Sequence, residues 1–478
     1  MRMRACLVPL ACIAMSAAAL ADDKGDENKD LDLIPAAAQV PPAPPAEAPS
    51  AKAGATGKIF LENAFTQSWL RTPAVTLPPP QPPAWQERLL LDVRKEWRPA
   101  SDLALNYSGR LNLRDQPGLD RPTHEDVIND LREAYASWEP QERLFLDAGR
   151  INLKSGVALG FNPTDFFKTR TVVEPLSVDP VVLREDRLGT LMLRAQRIWE
   201  GGSLTAAYAP AVASRSPIYT DPSLHSFDPM FDRTNAQDRF LLKGSVDVAE
   251  GLSPELLAYH DQGRTRWGAN LTANVSQSVV AYAEWSGGPR GSLIDEALRF
   301  GRATGTLPQR LPGVLPDGAQ QGFRSQLAAG AAYTTDLPKI TFNLEFNYNQ
   351  VGFSGTDWDR WFQAGRSTTA ASPAVSPTAG ELWYIRNYAL DQQEPLGRSA
   401  VFLRADWVDA FVPKLELSGF VNTDLADGSS RIQLTADYYL SDRWTIGGVV
   451  LAELGGRHSD FGSLPQAGSV LLKVARYF

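Results

Sequence analysis

From residue 58 onward, apolar and polar side chains take turns along the chain. Leu103, Leu105, Tyr107, Gly109, Leu111 and Leu113 alternate with Ala104, Asn106, Ser108, Arg110, Asn112 and Arg114. Trp267, Ala269, Leu271, Ala273 and Val275 interleave with Gly268, Asn270, Thr272, Asn274 and Ser276, and Ile340, Phe342, Leu344, Phe346 and Tyr348 with Thr341, Asn343, Glu345, Asn347 and Asn349. Successive side chains of a strand point to opposite faces, so a period of two predicts strands with one apolar and one polar wall. The same pattern runs through Leu89–Trp97, Phe240–Val248, Val401–Trp407, Leu415–Val421, Ile432–Leu440 and Trp444–Leu454. Most of these segments match the roughly 9–11 residues of a tilted membrane strand.

A soluble sandwich and a membrane barrel both produce this alternation. The connections separate them. Short links such as Arg98–Ser101, Glu139–Glu142, Glu200–Gly202 and Ser441–Asp442 alternate with long ones such as Lys154–Arg187, Ala211–Ala236, Gly287–Gly322 and Gln350–Gly397. Short turns at one end and long loops at the other are the habit of bacterial barrels. The predicted fold is therefore all-β: a transmembrane antiparallel up-and-down β-barrel of about 18 strands, with 16 as the alternative count, long outer loops and short periplasmic turns. Trp97, Trp138, Trp199, Trp407, Trp444 and Phe478 fall at inner strand ends, and Trp267 and Trp285 at outer ends, all with the parity of the apolar wall. That placement predicts membrane girdles.

Composition narrows the partners. The chain has 478 residues, a formal net charge of -8 and 43% hydrophobic residues. An acidic balance argues against nucleic acid, whose phosphates demand basic surfaces. Met1–Ala21 carries Arg2 and Arg4, an apolar run from Ala5 to Met15 and the sequence Ala19-Leu20-Ala21. This is the order of a secretory signal peptide, so 1–21 is expected to be removed on export. Both cysteines, Cys6 and Cys12, lie inside it, which leaves no thiol for disulfides, metals or catalysis in the exported chain. Residues 22–57, rich in proline and alanine, read as a disordered periplasmic linker, and 58–478 as the barrel.

The C-terminus, with Val470, Leu472 and Val474 alternating up to Tyr477-Phe478, resembles the insertion signal of Gram-negative outer-membrane β-barrel proteins. Arg476 departs from that pattern. The resemblance implies the outer membrane, a lipid and lipopolysaccharide surround, and recognition of Phe478 by the barrel-assembly machinery. A second block, Gly160-Phe161-Asn162-Pro163-Thr164-Asp165-Phe166-Phe167 followed by Arg187-Leu188-Gly189 and Gly202-Ser203-Leu204, resembles porin-like proteins of alginate-export-like and general porin type. It implies that the third long loop folds into the lumen, where a surface loop on the rim is the alternative.

Two groups of residues are candidates for function. Strand parity turns Arg88, Asp92, Arg94, Glu96, Arg110, Arg114, Glu345 and Arg404 inward as pore-lining residues. They admit two readings: mutual neutralisation that braces the wall, or a basic ladder of Arg88, Arg94, Arg110 and Arg114 that guides anions. Asn162, Thr164, Asp165, Lys168, Arg170, Glu174 and Arg184 are the constriction-loop candidates, since opposed charges across a narrow pore set an ion filter. Catalysis is not expected. Only His124, His225, His260 and His458 are present, and none stands near a recognisable nucleophile motif. Asp357 with Asp359 reads as a loop face, and no residue set has metal-ligand spacing, so neither metal nor cofactor is expected. The sequence thus predicts a porin-like channel for passive diffusion of small hydrophilic, and among them anionic, solutes. Passage of a polysaccharide and a plugged structural or interaction barrel are the alternatives, and assembly into a homo-oligomer stays open.

Overall fold

The computed structural model describes residues 54–78, 81–117, 127–173, 177–218, 228–308, 314–315, 321–366 and 377–478. The leader, residues 22–53 of the linker, Glu174, His124 and His225 lie outside the described residues.

Eighteen strands form one sheet closed on itself. The first half comprises β1 (Gly54–Leu70), β2 (Trp85–Ala100), β3 (Leu103–Asp115), β4 (Val127–Gln141), β5 (Leu144–Ile151), β6 (Thr190–Trp199), β7 (Gly202–Ala209), β8 (Arg239–Val246) and β9 (Leu252–Asp261). The second comprises β10 (Arg264–Ser276), β11 (Val279–Arg290), β12 (Gly322–Thr334), β13 (Ile340–Asn349), β14 (Ser399–Trp407), β15 (Leu415–Asp424), β16 (Ser430–Ser441), β17 (Trp444–Leu454) and β18 (Gln466–Tyr477). Each strand pairs antiparallel with its sequence neighbours, and β1 closes on β18 with Phe60 opposite Tyr477 and Gln67 opposite Val470. The count is 18, not 16. β1 begins at Gly54, inside the stretch read from sequence as linker. Closure removes every sheet edge, the condition for a sheet to span hydrocarbon.

The connections at one end are tight, with two residues each at 101–102, 142–143, 200–201, 277–278 and 442–443. At the other end they run long, at 152–189, 210–238, 291–321 and 350–398. The alternation is not strict. The outer connections 262–263 and 425–429 are short, and the β9–β10 turn is closed by Gln262 and Gly263, both at positive φ.

The outward wall is apolar and uncovered by protein: Leu91, Leu113, Leu193, Leu242, Leu344, Leu434 and Leu472 are all exposed. A contiguous belt of this kind is stable only against another apolar phase. Trp97, Trp138, Trp199, Trp267, Trp444 and Phe478 are exposed at its margins, while Trp407 and Trp285 are half-buried, Trp285 stacking on Phe323 at 6.3 Å. Leu193→Arg, on the outward face of β6, is expected to cost ~2–4 kcal/mol if it lies at mid-belt. Urea unfolding in lipid vesicles measures this, and an unchanged midpoint would mean that Leu193 does not face lipid.

Helices within the long outer connections were not anticipated from the sequence. They are α1 (Pro180–Glu185), α2 (Phe231–Thr234), α3 (Leu293–Ala303), α4 (Gly355–Arg366) and α5 (Pro377–Asp391). Asp357, read as part of a loop face, instead starts α4: its carboxylate accepts from the backbone and hydroxyl of Ser354, and Ser354 Oγ accepts from its amide. α3, α4 and α5 share a core of Leu293, Leu298, Trp358, Trp361, Leu382 and Trp383. Val75 of the β1–β2 connection joins it, and Trp383 Nε1 donates to the Thr76 carbonyl at 3.0 Å. This core sits among the outer loops and forms a cap independent of the strand ladder. Trp361→Ala is expected to cost the cap ~3–5 kcal/mol. New proteolytic cuts in 350–398, with the barrel's heat-resistant gel mobility retained, are the expected readout.

Candidate functional site

Inside the barrel, the connection 152–189 is the third outer loop, and it is fastened to several sides of the inner wall. Five consecutive amides, Val157 to Phe161, donate to two carboxylates. Val157 and Ala158 bond Glu284 Oε1 on β11. Leu159 bonds Glu345 Oε2 at 2.8 Å, and Gly160 and Phe161 bond Glu345 Oε1 at 3.1 Å each, on β13. Tyr282 on β11 adds its hydroxyl to Glu345 at 3.1 Å. Both carboxylates are fully buried, which is tolerable only because the loop supplies donors in place of water. Glycine is required at the contact. Gly156 adopts φ +85 against the Glu284 carboxylate, and a Cβ at Gly160 would approach Phe402 of β14 to 2.6 Å.

The opposite side is held by ion pairs. Asp186, just after α1, lies 2.6 Å from Arg110 of β3 and 3.4 Å from Arg132 of β4. Those two guanidiniums also flank Asp92 of β2, at 3.0 and 2.6 Å. Asp179 caps α1 by accepting from the Val181 amide and binds Arg404 of β14 at 2.5 Å. Ser177 bonds Gln433 of β16 at 3.1 Å. Midway along β7 to β9 the inner wall is apolar, between Arg239 and Asp261 toward the outer end and Thr205, Lys243 and Glu255 toward the inner end. Ala207, Leu241, Leu257 and Tyr259 pack against Phe166 and Phe167 of the loop, with Phe166 stacked on Tyr259 at 4.7 Å.

The cap docks on the loop from outside. Asp391, at the end of α5, receives Arg170 at 3.1 Å and Arg233 at 2.9 Å. Burial raises the Asp391 pKa against the opposing pull of those two arginines. Gln393 bonds Thr171 Oγ1 at 2.9 Å, and Arg290, at the outer end of β11, bonds Glu394 at 2.7 Å.

The structure distributes the sequence candidates unevenly. Asp92, Arg110, Glu345 and Arg404 point inward but do not line open water, since all four are buried under the third loop. Arg88 is buried against Glu62 at 3.0 Å. Arg94 keeps a half-exposed side chain 3.4 Å from Asp92, Glu96 holds Arg98 at 2.6 Å, and Arg114 is half-buried opposite Arg88 in the ladder. Within the loop, Thr164 bonds Asn270 and Glu284 at 2.8 and 3.1 Å. Asp165 pairs with Arg187 at 2.9 Å. Lys168 donates to the Asn162 carbonyl at 2.6 Å and lies over the Phe161 ring. The Asn162 side chain turns back to the Ala158 carbonyl. Arg170 reaches the cap, and Arg184 holds the Ser155 and Gly156 carbonyls at 3.0 and 2.8 Å. These charges are thus spent largely on one another.

Glu284 and Arg132 escaped the sequence reading. Glu284 has the inward parity of its strand and was within reach. Arg132 is hidden by a bulge opposite Ser108 and Gly109, which breaks the alternation of β4. His260 bonds Thr265 at 3.0 Å and His458 packs edge-on against Phe362. Among the described residues, no His, Cys, Asp and Glu cluster is arranged to hold a metal ion.

The molecule so described is a closed transmembrane barrel with a loop fixed inside its lumen. No protein-family model matches the chain, and no curated protein does. Among solved structures it is similar to a substituted porin of Rhodopseudomonas blastica, at 9% identity and a TM-score of 0.39, covering 89% of this chain and 100% of that one. It is also similar to Pseudomonas aeruginosa OccK8 (OprE), at 13% identity, a TM-score of 0.49 and coverage of 89% and 98%. Pseudomonas aeruginosa OccK11 (OpdR) is 11% identical, with a TM-score of 0.46 and coverage of 89% and 96%.

Proposed function

We propose that the chain is a Gram-negative outer-membrane channel for passive diffusion of small hydrophilic solutes, with anions favoured. The observation that carries this reading is the third loop, bonded to the inner wall by Glu284, Glu345, Arg110 and Arg404. A loop fixed at this depth narrows the lumen and brings protein charge close to any passing solute. Preference for anions is supported by the outer part of the lumen, where guanidiniums outnumber carboxylates. The closed ladder and the apolar belt support the membrane location, and the aromatic end at Phe478 supports delivery by the assembly machinery. A homo-oligomer in the membrane is compatible with this function and not required by it.

The test is single-channel recording of refolded protein in a planar bilayer, with reversal potential measured in a salt gradient. Steady conductance with an anion-selective potential is the expected result. One feature favours a second reading. The α3–α5 cap buries Trp361 and Leu382 completely above the barrel, as a plugged structural barrel would require. Absence of conductance from protein of barrel-like gel mobility would establish that reading and remove the first. Conductance that only long acidic polysaccharides block would favour polymer passage.

A further inference from the structure

We propose that the outer lumen holds a binding site for a compact multivalent anion, such as a di- or tricarboxylate, centred on Arg215, Arg239, Arg264 and Arg299. The site deepens the channel reading above and rests on it only for its place on a transport route. The four arginines line a cavity of about 250 Å3 under α3 and α5, floored by Thr169 and Arg170 of the third loop. Sites for drug-sized ligands occupy roughly 300–1,000 Å3, so the occupant is small.

Eight arginines line this cavity in a chain whose net charge is negative. Four of them have carboxylate partners. Arg170 and Arg233 share Asp391, Arg290 takes Glu296 and Glu394, and Arg266 lies 3.4 Å from Asp261. The other four have none among the described residues. With the Gln321 amide oriented so that its oxygen faces them, Arg264 and Arg299 both donate to that oxygen, at 3.0 and 3.1 Å. Arg215 donates to Gln237 at 2.7 Å and lies over the Phe300 ring. Among the described residues, Arg239 is 3% exposed, bonds Thr190 and the Thr234 carbonyl, lies over the Phe167 ring, and leaves its Nε without a hydrogen-bond partner.

A buried guanidinium with neither a carboxylate nor a full set of acceptors is costly unless something completes it. A planar fork presents paired donors that match a carboxylate or phosphate bidentately. Exposure falls from Arg299, on the open side of α3, through half-buried Arg264 and Arg215, to buried Arg239. An entering anion thus meets guanidiniums in series. Several of them within one small cavity favour a multivalent solute over a monovalent one, because each further charge-assisted bond adds roughly tenfold in affinity.

The experiment is titration calorimetry of the full refolded chain in detergent, with citrate, succinate and acetate as probes. Affinity is expected to fall in that order and to weaken as salt is raised. Arg239→Gln with Arg264→Gln should weaken citrate binding about a hundredfold, one factor of ten for each bond set lost. Arg443→Gln, at a turn on the inner end, should leave binding unchanged. Arg299→Gln, at an exposed position, carries the test should the double variant not fold, with about a tenfold loss expected. Equal affinity for acetate and citrate, or citrate binding unaffected by these substitutions, would overturn the proposal. Citrate binding without conductance in bilayers would leave the site standing and remove the channel, and conductance without citrate binding would do the reverse.

Discussion

Glu345→Ala should release the third loop. The substitution takes the acceptor from three consecutive amides, at Leu159, Gly160 and Phe161, and from the Tyr282 hydroxyl. Each buried donor left without a partner costs ~1–3 kcal/mol. Water entering the space will satisfy some of them, so a net loss of ~3 kcal/mol is the reasonable magnitude. Hydrogen exchange over 157–161 should accelerate about a hundredfold. The strand ladder on either side should keep its protection, because β13 keeps its backbone partners Ala331 and Leu403 around residue 344. In bilayers the same variant should conduct more and flicker. Glu345→Gln separates charge from shape: its amide keeps one oxygen for four donors and faces them with an NH2 group. It should therefore lose most of the protection lost in the alanine variant. Unchanged exchange in both variants would mean that the remaining ties, through Glu284, Asp186, Asp179 and the Phe166–Tyr259 stack, hold the loop without Glu345.

Asp92→Leu should be the most destabilising single change in the inner wall. Asp92 is fully buried, with Arg110 at 3.0 Å and Arg132 at 2.6 Å, themselves 5% and 2% exposed. Removing one partner of a buried ion cluster leaves uncompensated charge and costs ~3–5 kcal/mol. Asp186 then remains alone to serve both guanidiniums, so the third loop is drawn into the damage. The midpoint of urea unfolding in vesicles should drop accordingly. Asp92→Leu with Arg110→Met should recover part of the loss, since an apolar pair of similar volume replaces a buried charge pair at little cost. Strict additivity of the two single effects would show that Asp92 and Arg110 do not act as a unit.

Both predictions concern contacts that no local pattern announces. Arg404 meets Asp179 across 225 positions, and Glu345 meets Leu159 across 186. Parity could say that Arg404 and Glu345 turn inward. It could not say whether they face water or a loop, because the loop's path depends on the wall it enters. One clue was present. Midway along β8 and β9 both faces are apolar, as Leu241 beside Leu242 and Leu256 beside Leu257 attest, between Arg239 and Lys243 on one strand and Glu255 and Asp261 on the other. A wall apolar on both sides must be covered on both, and inside a barrel the available cover is a loop.

The cap helices divide in the same way. α3 carries a legible start, Ser292 bonding the Asp295 amide while Asp295 reaches back to the Ser292 amide. α5 carries none. It buries Leu382, Trp383, Tyr384 and Ile385 in succession, so it lacks the one-sided apolar stripe by which a helix is recognised.

What the sequence determined by itself is the closed wall. The side-chain period of a strand is local and exact at two, and lipid outside with polar groups inside stamps that period on every strand. A count of about 18 strands and the aromatic margins follow from the same rule, and the structure decides 18 over 16. What only the tertiary structure decided is the content of the barrel: which carboxylates receive the loop, and which of the arginines lining the outer cavity have carboxylate partners. Those outcomes depend on partners tens to hundreds of residues apart, and burial converts a charge from a pore surface into a fastening only when its partner arrives.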